Sequence, residues 1–200
     1  MEKTIERTFV MIKPDGVQRG LIGEILKRFE SAGLKIVGLK MVKATKNMVE
    51  EFYPKDKEWF ETIGQKTTKA YQEAGLSIQE TFGTTNLEEI GKIIKKWLVD
   101  FIVSGPVVAM VLEGNHAIMK VRNIVGYTDP FAAAPGTIRG DLTTDSIALG
   151  NIMARAVVNV IHASSSQKDA EKEISIWFEK KELMSYKRCD EDIILGRFLK

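Results

Sequence analysis

The chain of 200 residues has a single cysteine, Cys189, and only two histidines. One cysteine excludes an intramolecular disulfide and a zinc site built on several cysteines, and it suits a reducing compartment. No apolar run approaches the roughly 20 residues that span a bilayer, and no secretion signal is visible at the start. The net charge of +2 is too small for general binding of nucleic acids. These absences predict a cytoplasmic protein without a membrane or an obligatory nucleic acid as partner, so any anion site must be local.

The hydrophobic content, 44% of the residues, is ample for a buried core, and we expect one domain over residues 1–200. Alternating and continuous apolar runs predict strands over 7–13, 35–43, 106–112 and 156–161. Apolar residues at helical spacing predict helices over 21–32, 47–53, 67–75, 86–103 and 169–178, and another that begins at an Asn115 cap. An irregular loop is expected over 126–141, after the helix that begins at Asn115. This order predicts an α+β fold of the ferredoxin-like (split βαβ) class, an antiparallel sheet covered by helices.

The histidine His162 ends an apolar run and is followed by three residues with hydroxyl groups, Ser164, Ser165 and Ser166. A neutral imidazole can attack phosphorus directly, and its pKa lies near neutral pH. The serines are suited to cap the next helix, whose free N–H groups could face an anion beside the ring. This stretch alone leaves two interpretations open, a nucleophile or a structural histidine at a strand end. The other histidine, His116, is expected to be exposed and without a catalytic role.

Four segments of the chain are more specific: Lys13-Pro-Asp-Gly-Val-Gln-Arg-Gly20, Ser104-Gly-Pro-Val-Val-Ala-Met110, Pro135-Gly-Thr-Ile-Arg-Gly-Asp141 and the segment around His162. In this order they resemble the successive signatures of the nucleoside diphosphate kinases. The resemblance implies ping-pong transfer of the γ-phosphoryl group of a nucleoside triphosphate, mainly ATP, to a nucleoside diphosphate through a phosphohistidine on His162. It also implies Mg²⁺ held by the nucleotide phosphates rather than by a protein cage. A homo-oligomer is implied as well, a hexamer in preference to a tetramer.

The same resemblance implies the site residues. Those implied in catalysis are His162, Lys13, Glu173, Tyr53 and Ser164, with Glu173 orienting the second ring nitrogen. Those implied in nucleotide binding are Lys13, Phe60, Arg122, Thr128, Arg139 and Asn159. Phe60 would stack on the base, although the adjacent Trp59 fits the pattern with a shift of one position.

The chain departs from the family's usual pattern directly after the histidine. It has Ala163, Ser164 and Ser165 where the family commonly has glycine, serine and aspartate. A hydroxyl at Ser165 can still cap a helix. We therefore expect an altered rate or stability rather than lost chemistry.

Two segments, 61–103 and 143–155, are insertions relative to the shortest members of that family. The helix predicted over 86–103 carries an apolar stripe that must be buried, either on the parent domain as part of a lid or against a second subunit. On the same helix, Lys92, Lys95 and Lys96 are most simply a solvated face, and steering of phosphates is the alternative.

Two other classes of function compete with the kinase hypothesis. The chain lacks G-x-x-x-x-G-K-[ST] and the protein-kinase motifs, so phosphoryl transfer would use neither of those scaffolds, and a covalent route is the hypothesis. A regulatory module that binds nucleotides without turnover is the main rival, and it has no need of His162. A nucleic-acid-binding protein is disfavoured because no basic stripe with interleaved aromatic residues is present.

Overall fold

The computed structural model describes residues 4–199. Met1 to Lys3, in the charged start of the chain, and Lys200, its last residue, lie outside the described residues. Within the described part, the strands β1 (Ile5–Ile12), β2 (Lys35–Val42), β3 (Val107–Asn115) and β4 (Ile161–Ala163) form one sheet in the order β2-β3-β1-β4. All three pairings are antiparallel. β3 lies between β1 and β2, and β1 lies between β3 and β4, which interleaves two split βαβ units. The predicted α+β ferredoxin-like fold is confirmed.

Helices cover both faces of this sheet. Their bounds are α1 (Pro14–Gln18), α2 (Ile22–Ser31), α3 (Lys46–Phe52), α4 (Lys57–Glu73), α5 (Ile78–Phe82), α6 (Leu87–Val103), α7 (Ala117–Val125), α8 (Ile138–Leu142), α9 (Ile147–Ile152), α10 (Gln167–Trp177) and α11 (Glu191–Ile194). Short 3₁₀ turns lie at Pro130–Ala132, Lys180–Glu182 and Arg197–Leu199. Over residues 4–199, no helix combines the length and the apolar character needed to cross a membrane.

Two hydrophobic clusters lie on opposite faces of the sheet because side chains alternate along each strand. Phe9 and Met11 of β1 face the cluster formed with α3, α6 and α10. Val10 and Ile12 face the cluster formed with α2 and α7. Each of these large side chains is fully buried, which contributes roughly 1.5–3 kcal/mol apiece. Burial on both faces holds β1 rigidly, and β1 leads directly into Lys13.

Helices α4 and α6 cross closely at two glycines. A Cβ at Gly64 would lie 2.2 Å from the carbonyl oxygen of Leu87, and one at Gly91 would lie 2.2 Å from that of Phe60. The apolar side of α6, including Ile90 and Ile94, is thereby buried against α4, while Val99 of the same helix packs with α3. The stripe predicted over 86–103 is therefore covered within the chain itself.

The strand predicted over 156–161 is wrong, because the sheet pairs only Ile161–Ala163 at this point. The backbone N–H of Val158 donates to Asp145 Oδ2 at 2.7 Å, and that of Val160 donates to Asp15 Oδ2 at 2.9 Å. Side-chain carboxylates thus take the N–H groups that a strand would use. Val160 has a φ of 66°, a left-handed conformation that is costly for a β-branched residue.

Two helix starts also differ from prediction. Strand β3 continues through Asn115, and the N-cap position of α7 is His116, which has no side-chain cap hydrogen bond. Glu6 of β1 supplies the cap instead, because its Oε2 accepts from the N–H of Ile118 at 3.2 Å. Helix α4 begins at Lys57 rather than at residue 67, since the Asp56 side chain accepts from the N–H of Trp59 at 2.9 Å. His116 is exposed, as predicted.

The C-terminal tail runs along the outer edge of the sheet. The N–H of Met184 donates to the carbonyl of Val37 at 2.7 Å, and the Tyr186 hydroxyl donates to that of Ile36 at 3.0 Å. Arg188 donates to the carbonyl of Leu34 at 2.9 Å. These bonds occupy carbonyl groups beside and along β2, which would otherwise leave an edge strand open to pairing with another chain.

The close crossing of α4 and α6 gives a direct test by Gly91→Ala. The added methyl group meets backbone atoms that no rotamer change can move, so the free energy of unfolding should fall by about 2–3 kcal/mol. Gly23→Ala is the matched control, because a Cβ there meets nothing within 4 Å and should raise stability by about 0.5 kcal/mol. Denaturant unfolding of the three proteins measures both changes. An unchanged midpoint for Gly91→Ala would contradict the crossing.

Candidate active site

Strands β1 and β4 bring Lys13 and His162 to the same edge of the sheet. His162 pairs with Met11 in the ladder, and Lys13 follows the end of β1 directly. The backbone N–H of Lys13 donates to the carbonyl of Val160 at 2.8 Å. Lys13 and His162 lie in separate sequence motifs. Backbone hydrogen bonds nevertheless hold the end of β1 and the segment that carries His162 side by side.

His162 contacts a carboxylate that a serine hydroxyl holds in place. Its Nε2 lies 3.0 Å from Glu173 Oε2, and the Ser164 hydroxyl donates to the same oxygen at 2.6 Å. Ser164 is itself fixed, because its Oγ accepts from the N–H of Phe9 at 3.2 Å. An ionised carboxylate only accepts, so Nε2 carries the ring proton and Nδ1 keeps its lone pair. Among residues 4–199, no hydrogen bond to Nδ1 is present, which leaves that nitrogen available as a nucleophile.

Helix α10 positions Glu173 for this contact. The helix begins after Ser166, whose Oγ accepts from the N–H of Asp169 at 3.1 Å. Glu173 is buried, on the side of the helix that faces β1 and α3. The strand that carries His162 and the helix that carries Glu173 are thus linked by one short capped connection.

Aromatic side chains pack around the imidazole. The Phe52 ring lies edge-on to that of His162, with centroids 4.8 Å apart, and Phe52 also contacts Tyr53. Burial, and then the charge of Glu173, raise the pKa of Tyr53. The phenol therefore stays protonated at neutral pH and can act as a hydrogen-bond donor.

Two cationic side chains, Lys13 and Arg139, contact the residues directly before the histidine. Lys13 is buried, and its Nζ donates to Asn159 Oδ1 at 2.6 Å. Burial, and then the charge of Arg139, lower the pKa of Lys13 to about 7, although Asp15 opposes the shift. Burial, and then the charge of Arg122, lower the pKa of Arg139 to about 10. Buried cationic groups whose charged forms are disfavoured in the free protein are suited to bind an anion with several charges.

Arg139 and Asn159 hold the surrounding loops in place. The guanidinium of Arg139 donates to the carbonyls of Ile161 at 2.6 Å, Gly126 at 3.0 Å and Asn159 at 3.3 Å. Its remaining N–H groups are left for a ligand. Asn159 Nδ2 donates to the carbonyl of Thr128 at 2.8 Å. The predicted nucleotide residues Arg139, Asn159 and Lys13 therefore lie together, while Arg122 and Thr128 are exposed at the rim.

Two carboxylates that the sequence analysis assigned no role support this site. Asp15 binds the N–H of Val160, and its second oxygen is buried without a partner among the described residues. Asp145 binds the N–H of Val158 and pairs with Arg155. Asp15 could have been found, because it lies inside the motif that follows Lys13. Asp145 carries no such signal, since only the fold brings it to Val158.

The two aromatic candidates for base stacking contact each other edge to face, with ring centroids 5.6 Å apart, but their surroundings differ. Phe60 is 8% exposed, and the Nζ atoms of Lys92 and Lys95 lie 5.9 and 5.8 Å from its ring centroid. Trp59 is partly exposed and lies 6.1 Å from Tyr53 between ring centroids. The structure thus brings Trp59, rather than Phe60, beside the predicted catalytic tyrosine.

The hydroxyl at Ser165 contacts a carboxylate one helical turn further on. Ser165 donates to Asp169 Oδ2, and Ser166 donates to the same oxygen at 2.8 Å. Burial alone would raise the pKa of Asp169, but the two hydroxyls and the nearby His162 hold it below its ordinary value. A negative charge is therefore retained close to position 165, on a different residue.

The family model described as nucleoside diphosphate kinase matches residues 6–71 and 79–183. The chain is 51% identical, over 180 residues, to a nucleoside diphosphate kinase of Pyrobaculum aerophilum, covering 90% of this chain and 98% of that protein. It is 43% identical, over 190 residues, to one of Archaeoglobus fulgidus, covering 95% and 97%.

Solved structures are similar as well. The crystal structure of an NDP kinase from Pyrobaculum aerophilum matches with a TM-score of 0.87 at 50% identity, covering 90% of this chain and 100% of that one. A nucleoside-diphosphate kinase from Borrelia burgdorferi, solved as a transition-state mimic with bound vanadate and ADP, matches with a TM-score of 0.76 at 35% identity. That match covers 95% of this chain and 96% of the Borrelia chain.

The lowered pKa of Lys13 predicts proton uptake on binding of a phosphate ligand. With a pKa of about 7 in the free protein, roughly nine in ten of these side chains are neutral at pH 8. Bound phosphates favour the ammonium and raise its pKa, so ADP binding at pH 8 should take up nearly one proton. Calorimetry in buffers of different ionisation enthalpy measures this uptake. It should persist in Lys66→Gln and vanish in Lys13→Met, and a wild-type enthalpy independent of buffer would refute it.

The contact between Ser165 and Asp169 predicts a charge-swap result. Ser165→Asp removes the hydrogen bond to Asp169 and places a second carboxylate against it, so the free energy of unfolding should fall by about 1 kcal/mol. The double change Ser165→Asp with Asp169→Ser leaves a single carboxylate and should restore stability to within about 0.5 kcal/mol of wild type. Urea unfolding of the two single variants and the double variant closes the cycle. Additive effects would mean that the two side chains do not interact.

Proposed function

The chain belongs to the nucleoside diphosphate kinase family, and we propose that His162 is the residue that carries the phosphoryl group between its two nucleotide substrates. The enzyme transfers the γ-phosphoryl group of a nucleoside triphosphate to a nucleoside diphosphate, through a phosphohistidine in a ping-pong reaction. The observation that carries the proposal is the contact of His162 Nε2 with Glu173. It leaves Nδ1 of a rigidly held ring with a free lone pair, and backbone hydrogen bonds tie the strand of this ring to the strand that leads into the buried Lys13.

In the first half-reaction, Nδ1 attacks the γ-phosphorus of a triphosphate such as ATP. A bond forms between nitrogen and phosphorus as the bond to the β,γ-bridging oxygen breaks, and the electron pair leaves with the diphosphate. Glu173 accepts the hydrogen bond from Nε2–H throughout and stabilises the positive charge that develops on the ring. Ser164 holds the carboxylate in place. The second half-reaction is the reverse, with a different nucleoside diphosphate as acceptor.

The cationic residues bind the phosphate chain. Arg122 and Arg139 suit this role because a planar guanidinium holds two oxygens at once. Lys13 becomes fully charged when the anion arrives, and Thr128 and Asn159 contribute hydrogen bonds. The Tyr53 hydroxyl, protonated at neutral pH, donates near the transferred group. For the base, the position of Trp59 beside Tyr53 favours Trp59 over Phe60 as the stacking residue.

Kinases of nucleotides use a divalent cation with their substrates, and we propose Mg²⁺. Residues 4–199 contain no group of three or more His, Cys, Asp or Glu side chains arranged to hold a metal ion. The charged side chains that the proposal assigns to phosphate binding, Lys13, Arg122 and Arg139, are cations, which bind phosphate oxygens. This donor set fits an ion carried by the nucleotide, where it would neutralise part of the phosphate charge.

Three further proposals concern the protein as a whole. It works as a single domain over residues 1–200, in the cytoplasm, and as a homo-oligomer, a hexamer before a tetramer. The rings of Tyr127 and Phe131, which are 64% and 85% exposed, lie in the loop that carries Thr128, and a subunit contact there would remove them from water.

The role of His162 is tested by trapping the intermediate. The protein is incubated with γ-labelled ATP and Mg²⁺, isolated, and assayed for an acid-labile, base-stable phosphoryl group. The label should then pass to added GDP or CDP. His162→Ala should take up no label, and His116→Ala, which changes the other histidine, should behave like wild type.

Two results would contradict the proposal. Label retained in His162→Ala would place the phosphoryl group on another residue. No label on folded wild-type protein that binds nucleotides would favour a regulatory module without turnover.

A further inference from the structure

A positively charged cavity lies between α3 and α6, at the start of α4. Its volume is about 350 Å³, near the lower limit for pockets that hold small molecules. Two carboxylates, Glu50 and Asp100, line it together with five lysines: Lys46, Lys55, Lys92, Lys95 and Lys96. The lysines come from α3, from the α3–α4 connection and from α6, so only the folded chain gathers them. Their charges repel one another, and an anion bound among them would relieve that repulsion.

This lysine pocket is separate from the site at His162. Lys13 Nζ lies 5.8 Å from the centroid of Phe101 on α6. Lys92 is nine residues earlier on the same helix, which places it about 180° around the axis from Phe101. The phosphate-site residues, Lys13, Arg122 and Arg139 among them, do not line the pocket. An anion among the five lysines would therefore occupy a different face of α6 from the nucleotide phosphates.

Lys95 forms the floor of the pocket and is rigidly placed. The residue is 7% exposed, and its Nζ donates to the carbonyls of Pro54 at 3.1 Å and Tyr53 at 3.3 Å. Its Nζ also lies 3.5 Å from a carboxylate oxygen of Glu50. Burial lowers the pKa of Lys95 despite that carboxylate. One lysine of the set is thus not a solvated surface charge, and it links the pocket to the backbone of Tyr53.

The aromatic residue of the pocket does not offer a stacking surface. The ammonium groups of Lys92 and Lys95 both lie within 6 Å of the Phe60 centroid, where cation–π attraction keeps them. A nucleobase needs a free ring face. Compact charge, rather than a planar group, is what this arrangement can recognise.

We propose that the lysine pocket binds a small molecule that carries several phosphate groups, at the same time as the active site holds a nucleotide. The ammonium groups act as point charges around a compact polyanion, which phosphate chains match better than carboxylates because they carry more charge in the same volume. This inference does not depend on the role of His162.

The test is a binding titration in which the active site is already filled. Protein saturated with ADP, at constant ionic strength, is titrated with inorganic tripolyphosphate in a calorimeter, and citrate serves as the carboxylate probe. Lys46→Gln with Lys96→Gln removes two exposed pocket charges. Lys66→Gln with Lys69→Gln removes two exposed charges from α4 outside the pocket and is the matched control. Thermal unfolding confirms that both variants are folded.

We expect one tripolyphosphate per ADP-loaded chain in the wild type and the control, with affinity about tenfold weaker in Lys46→Gln with Lys96→Gln. No binding once ADP is present would overturn the second site. Equal weakening in both double variants would reduce the effect to general surface charge and overturn it as well. Citrate that binds as tightly as tripolyphosphate would overturn the assignment to phosphate compounds.

Discussion

The structure depends on one hydrogen-bonded set, in which Glu173 accepts from both His162 and Ser164. Each partner is fixed by a different layer of the fold. Ser164 bonds to the backbone of Phe9 in the doubly buried strand β1, and Glu173 projects from a helix that is capped only a few residues after the histidine. Because a carboxylate accepts and does not donate, this set decides which ring nitrogen carries the proton. Packing and capping thereby decide which ring nitrogen keeps its lone pair.

Burial of the cationic side chains around this set lowers the stability of the free protein. Lys13 and Arg139 are buried near each other, and Lys13 has lost most of its preference for the charged form. Val160 is held in a left-handed conformation by the Asp15 carboxylate. Strain and like charges collected at one place are typical of sites that bind and transform an anion. An anion bound near these groups would reduce the repulsion and favour the charged form of Lys13.

Much of this was predictable from the sequence, and the failures have physical causes. Alternation and helical spacing predicted β1, β2 and α2 within one or two residues, since their burial follows the simple periods. The strand over 156–161 was wrong because Asp15 and Asp145, distant in sequence, take its N–H groups. Which of Phe60 and Trp59 lies beside Tyr53 depends on how α4 packs against α6, and the two glycines at the crossing permit that packing. The lysine pocket could not be predicted, because it combines residues as distant in sequence as Lys46 and Lys96 and no local sequence pattern marks it.

The most direct measurement is nitrogen-detected NMR of the phosphorylated protein with ¹⁵N-labelled histidine. The phosphorus nucleus couples to the ring nitrogen that bears it, and the remaining nitrogen reports its own proton. The account predicts phosphorus on Nδ1 of His162, with Nε2 protonated and bound to Glu173. Phosphorus on Nε2 would contradict it, because Nε2 would then have to give up its hydrogen bond to Glu173.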